Sequence, residues 1–278
     1  MEHHYLNIDG TKLFYAEKNM EADRTIFFFH GNSSSHHTWQ KQFSSPLLDD
    51  YQLIAFDLPA HGLSDAALEV TEGYSLPAIA NLMAKATFRL ANGKPYLLTG
   101  FSLGTNIVSE MLQYEMQPSG IVLISSCAIS IIDDLQKVFL PNSNAGIYFQ
   151  EEINVEALKG LARDAFFVHD AANLARFMND FITTKTPFRS MILKTALEGK
   201  FSNEIALLQK SGLALLIVFG SNEKNVNPDN LNDISLSVWR HSVLKLQNAC
   251  HFVHLDQSDV LNQLLADYAA DCFKPAHS

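Results

Sequence analysis

The chain has 278 residues, of which 47% are apolar, 10% aromatic and 18% charged. That composition excludes a disordered or low-complexity chain, and the length fits one large core with an insertion. The net charge of −10 argues against a binder of nucleic-acid backbone. Cys127, Cys250 and Cys272 lie far apart and give neither a disulfide framework nor a zinc pattern, so a reducing compartment is expected. Met1–Tyr5 lack the basic and apolar regions of a secretory signal, and no apolar run reaches membrane-spanning length. These features predict a cytoplasmic protein with neither a membrane nor a nucleic-acid partner.

Two short β-type runs, Tyr5–Ile8 and Leu13–Ala16, flank Asp9-Gly10 and predict a hairpin. Continuous apolar runs follow at Thr25–Phe29, Gln52–Phe56, Tyr96–Thr99, Ile121–Ile124, Leu213–Phe219 and Ser242–Leu246. Such runs predict strands covered on both faces, as in a parallel sheet. Helical periods lie between them. Leu76, Ile79, Met83, Ala86 and Leu90 share a face behind Ser75 as N-cap and Pro77 in the first turn. Ile107, Met111 and Tyr114 share another after Gly104, and Val260, Leu261, Leu264, Leu265 and Tyr268 a third, capped by Ser258 or Asp256. The alternation predicts an α/β fold, a mostly parallel central sheet with helices on both faces.

Residues 128–205 break the alternation. They hold no clear strand, but helix-like stretches at Val155–Phe167 and Ala171–Phe181 and many aromatics. The predicted organisation is therefore a core of residues 1–127 and 206–278 with a helical cap insertion at 128–205, most of whose aromatics hold the cap together.

Gly100-Phe101-Ser102-Leu103-Gly104 is a G-x-S-x-G sequence between an apolar strand and a helical period. That context lifts a serine hydroxyl clear of the sheet on a tight turn, with a helix N-terminus behind it. Together with His30-Gly31-Asn32 and Trp39, Asp57-Leu58-Pro59-Ala60-His61-Gly62-Leu63-Ser64, and Cys250-His251-Phe252-Val253-His254-Leu255-Asp256, the chain resembles the α/β-hydrolase family over roughly residues 5–272. Ala60 and Cys250 depart from the family's pattern, which often has glycine at both positions.

A serine needs a base to become a nucleophile. The resemblance places the catalytic histidine in the loop after the last strand, which is His251. It implies that His254 packs against the following helix and that His30 and His61 are structural. His36 and His37, in the Ser-rich loop, are expected to be solvated or to touch substrate. The resemblance puts the orienting acid at Glu223, although aspartate is usual there. Asp229, beyond Pro228, is the alternative, or else the cap of a following helix. The oxyanion hole is implied to be the backbone N–H groups of Asn32 and Leu103. Asp57 is expected to be a buried structural acid. The metal-ligand residue types in His251-x-x-His254-x-Asp256 are better explained by the triad. Neither G-x-x-x-x-G-K-[ST] nor G-x-G-x-x-G occurs, and no cofactor is expected.

The resemblance implies a serine hydrolase that cleaves an ester, thioester or related acyl bond of a small-molecule substrate through a Ser102–His251–Glu223 triad. A carbon–carbon bond hydrolase, an acyltransferase, a perhydrolase, or a non-catalytic binding or sensing protein on the same fold are the alternatives.

Overall fold

The five residues of TIFFF are all buried, as a strand with both faces covered requires. The computed structural model describes residues 1–69, 72–141 and 144–274, and arranges eight strands in one sheet. They are β1 (Glu2–Ile8), β2 (Thr11–Lys18), β3 (Thr25–Phe29), β4 (Gln52–Phe56), β5 (Tyr96–Phe101), β6 (Gly120–Ile124), β7 (Leu216–Gly220) and β8 (Leu244–Leu246). Their spatial order is β1-β2-β4-β3-β5-β6-β7-β8. The hairpin partner β2 runs antiparallel to β4, and all pairings from β4 to β8 are parallel. The expected strands are all present. β1, β2 and β5 run longer than their apolar runs because backbone pairing continues past them, whereas β7 starts three residues later than predicted and β8 two.

Helices of eight or more residues are α1 (Leu76–Ala91), α2 (Leu103–Met111), α3 (Val155–Ala165), α4 (Ala171–Thr183), α5 (Phe188–Leu197), α6 (Glu204–Ser211) and α7 (Ser258–Cys272). Ser75 caps α1 as predicted, accepting from Ala78 N. The cap predicted for α7 is corrected: neither Ser258 nor Asp256 caps it, and Gln257 stands at that position without a side-chain bond. Asp256 instead accepts from the backbone N–H of Phe167, Val168 and Cys250 at 2.9–3.0 Å. It therefore ties the end of α3 to the loop that carries His251.

Two apolar clusters cover the two faces of the sheet. One includes Phe27, Phe29, Ile79, Ile107 and Leu123, and the other Phe28, Trp39, Phe101, Val122 and Leu265. Each buried side chain of this size contributes about 1.5–3 kcal/mol. Between β6 and β7 the described chain forms no strand of the sheet, only helices, turns and isolated bridges from Phe139 to Val226 and from Leu215 to Val238. Helix α6 runs across residue 205, where the sequence pattern ends the insertion. Parallel strands put all their C-terminal ends on one edge, and the α3–α5 segment lies over that edge, with Phe252 N–H donating to Ala165 O and Lys185 N–H to Ala60 O.

Candidate active site

β5 ends in Phe101, and the next residue, Ser102, has φ 52° and ψ −120°. This conformation is strained for a residue with a Cβ and costs about 1–3 kcal/mol. It is held from several sides. Ser102 N–H donates to Ile124 O at 2.9 Å, and Ser102 O accepts from Thr105 N at 2.8 Å and Thr105 Oγ1 at 2.6 Å. Thr105 Oγ1 in turn accepts from Cys127 N. The two flanking glycines are needed for close approach: a Cβ on Gly104 would strike Phe29 O, and one on Gly100 would strike Gly104 O. A Cβ on Gly31 would come within 3.0 Å of Ser102 Cβ, so the His30-Gly31-Asn32 loop can sit directly against the serine.

The remaining candidates come from loops at the same sheet edge. Glu223 follows β7, and its side chain is fully buried. Its Oε1 accepts from Lys224 N at 2.9 Å and Asn225 N at 2.8 Å, and its Oε2 lies 2.8 Å from His251 Nδ1. With Nδ1–H donated to the carboxylate, His251 Nε2 is left with a lone pair. His251 packs on Phe101 at 5.0 Å between ring centroids, and its carbonyl accepts from Ser125 Oγ. Asp229 is not brought near. It is exposed, pairs with Lys245 and Asn232, and no helix follows Pro228 for it to cap. The expectation of such a helix is corrected, because residues after Pro228 close in turns that return the chain to β8.

Ser102 and His251 line one cavity with a largely apolar wall, to which Leu135, Phe139 and Ile192 contribute. Ser102 Oγ is turned toward Cys127 Sγ, 3.9 Å away, and makes no hydrogen bond to His251 in this rotamer. Burial pushes the Cys127 thiol up to about 12, so it stays protonated at neutral pH and does not compete as a nucleophile. The backbone N–H groups of Asn32 and Leu103 have no acceptor among the described residues. The Asn32 side chain is already engaged, donating to Tyr148 O and accepting from Ser33 Oγ. Leu103 begins α2, so the positive end of the helix dipole lies at this point.

His30 and His61 are structural supports. His30 accepts the N–H of Leu58 on Nε2 and donates Nδ1–H to Gly31 O. His61 does the same for Ser33 N and Pro59 O. Asp57 is wholly buried and accepts from His36 N, His36 Nδ1 and Leu63 N. The expectation for His36 is thereby corrected: it is 3% exposed and held under the loop by Asp57, not solvated, while His37 is exposed. The Nε2 of His254 lies 2.6 Å from Thr38 Oγ1, and its ring packs on Trp39 and Phe101. His251, His254 and Asp256 thus point to different partners, and among the described residues no three His, Cys, Asp or Glu side chains group around a metal position.

The sequence reading missed Thr105, Ser125, Cys127 and Asp256 as supports of the site. Only Thr105 had a local signal, a hydroxyl three residues after the serine. The others act across the fold.

An eight-stranded, mostly parallel sheet with a serine elbow, a buried His–Glu pair and a cap defines an α/β hydrolase. The chain belongs to the alpha/beta hydrolase fold family, whose model matches residues 24–258. Among solved structures it is similar to the N-acyl homoserine lactonase AidH complexed with N-butanoyl homoserine, at 21% identity, a TM-score of 0.90 and full coverage of both chains. It is also similar to a thermophilic esterase from Thermogutta terrifontis, at 13% identity and TM-score 0.78, covering 99% of this chain and 100% of that one. Among curated proteins, Protein ABHD8 of Homo sapiens is 33% identical over 101 residues, which is 36% of this chain and only 23% of that protein. No helix among the described residues is long and apolar enough to cross a membrane.

Proposed function

We propose that the protein is a serine hydrolase that cleaves an ester, thioester or related acyl bond of a small-molecule substrate. The observation that carries this reading is the 2.8 Å contact between His251 Nδ1 and Glu223 Oε2 in a cavity that His251 shares with the strained Ser102. In this reading Ser102 Oγ rotates from Cys127 to His251 and attacks the substrate carbonyl while His251 Nε2 takes its proton. Glu223 fixes the imidazole tautomer and stabilises the imidazolium. The free N–H groups of Asn32 and Leu103 receive the oxyanion. The intermediate collapses, His251 gives its proton to the leaving group, and an acyl-enzyme remains. A water molecule, deprotonated by His251, then releases the acid and restores the serine.

A lactone is an internal ester, so the likeness to an N-acyl homoserine lactonase supports including lactones among the candidate substrates. The test is a panel of p-nitrophenyl esters from acetate to decanoate, with N-acyl homoserine lactones followed by acid release. Fluorophosphonate labelling of the same preparation is expected to modify Ser102. Turnover of no ester or lactone, with no labelling, overturns the reading and leaves a binding protein.

A further inference from the structure

Asn225 lies in the wall of the cavity, two residues beyond Glu223, and is 1% exposed. Its backbone is fully engaged: the N–H donates to Glu223 Oε1 at 2.8 Å and the carbonyl accepts from Leu140 N at 3.0 Å. Its carboxamide is not. Both Oδ1 and Nδ2 are buried without a hydrogen-bond partner. Tyr148, from the cap, lines the same cavity, is 9% exposed, and its hydroxyl is also buried without a partner. Burial is the main cause that raises the Tyr148 hydroxyl above the usual tyrosine range, and the charge of Glu223 adds to it, so the group stays a neutral donor and acceptor. An unpaired buried donor or acceptor costs about 1–3 kcal/mol. Two such residues in one apolar cavity, each held by its neighbours, are a site for polar atoms that the protein itself does not supply.

We propose that Asn225, together with Tyr148 on the wall of the same cavity, is a specificity site that binds an amide group carried by the substrate in addition to its scissile acyl bond. The chemistry is that of matched pairs. A carboxamide offers one acceptor and two donor hydrogens, and an amide C(O)–NH offers the complement of one donor and one acceptor. A site built to hydrogen-bond a polar group discriminates strongly against an analogue that lacks it, because its own buried groups are then left unpaired. The inference rests on the hydrolase reading above and names its substrate class.

The test compares p-nitrophenyl hexanoate with esters in which one CH₂–CH₂ unit of the acyl chain is replaced by an amide, at each position in turn, and with acetate esters whose alcohol carries the amide. At least one amide ester is expected to exceed its plain counterpart by fivefold or more in kcat/KM. In Asn225→Leu, which is apolar and of similar shape, this ratio is expected to fall below fivefold, while Tm rises by about 2 °C or more because an unpaired buried amide has been removed. A merely structural asparagine would instead lose Tm. Tyr148→Phe removes only a hydroxyl and is a second variant in which the ratio should fall. A wild-type ratio below fivefold for every amide ester, or a ratio unchanged in both variants, overturns the proposal. Calorimetry on the Ser102→Ala protein separates the two readings. N-butylbutanamide should bind at least fivefold more tightly than nonan-4-one, which differs by CH₂ in place of NH, and Asn225→Leu should abolish the difference. If that difference is seen while no ester is hydrolysed, the hydrolase reading fails and the amide site stands; if esters are hydrolysed without it, the amide site fails alone.

Discussion

Ser102 occupies a strained turn that the flanking chain must hold at a cost of about 1–3 kcal/mol, which motivates the first prediction. Ser102→Ala is expected to lower kcat on a good ester by about 10⁴–10⁶ with the far-UV circular dichroism unchanged. Retention of a tenth of wild-type turnover would show that another group attacks. The acid is tested by a pair of variants. Glu223→Gln keeps the shape but replaces the acceptor of His251 Nδ1–H by a group that favours the wrong tautomer, and a loss on the order of 10⁴ in kcat is expected. Asp229→Asn touches only Lys245 and Asn232 at the surface and is expected to change kcat by less than about tenfold. The reverse ranking would remove Glu223 from the proposed triad. Ala60 shows the same logic of backbone strain on a smaller scale. It stands where glycine is usual in the family, its φ of 69° is one that glycine favours, and it is fully buried against the cap.

At the scale of elements, Glu204 joins three parts of the fold. From α6 its Oε2 accepts from Asn106 Nδ2 of α2 at 2.8 Å and from Ile129 N, where the chain leaves β6 for the cap, at 3.0 Å. Glu204 N–H donates back to Ile129 O, so the two ends of the cap insertion are bonded to each other behind the serine. Complete burial holds the Glu204 carboxyl well above the usual carboxylate range, and the carboxylate of Glu110 adds to this. A raised folded pKa gives stability that is present at low pH and lost as pH rises through the folded value. Glu204→Gln keeps the acceptor without the titration. It is expected to be at least about 1 kcal/mol more stable than wild type at pH 8 in urea unfolding, with the gap closing toward pH 5. Glu204→Ala leaves two buried donors unpaired and should lose about 3 kcal/mol at either pH. Equal stability of Glu204→Gln and wild type at pH 8 would mean that the carboxylate is not buried in solution.

For the whole molecule, the buried histidines set the acid limit. His30 is lowered to about 4, and His61 and His254 to about 3, in each case chiefly by burial. His30 and His61 also use Nε2 as an acceptor, a role that a proton abolishes. With folded values below the unfolded value of about 6.5, their contribution is complete above that pH and is lost as pH falls toward the folded values, by about 2 kcal/mol per histidine at pH 5. Urea unfolding at pH 7.5 and pH 5 should show a net fall, larger in Glu204→Gln, where the opposing carboxyl is gone; no change in either protein would refute this account. The amino-acid sequence by itself determined the sheet, since runs such as TIFFF and QLIAF can be satisfied only between two layers, and it determined the elbow, since Gly-x-Ser-x-Gly between strand and helix is a local geometry. By resemblance to the family its motifs pointed to Glu223, His251, Asn32 and Leu103; in the structure Asn32, Leu103 and His251 line one cavity, and Glu223 lies against His251. Contacts across the fold were decided only by tertiary structure. Nothing local distinguishes His36 from His37, yet Asp57 of another loop buries one and leaves the other in solvent. Asp256 reads as a helix cap until α3 is laid over it, and Asn225 reads as a loop residue until the cap closes its carboxamide away from water without a partner. Backbone periodicity is written in neighbouring residues; hydrogen bonds between segments a hundred residues apart are chosen by the packing of the whole chain.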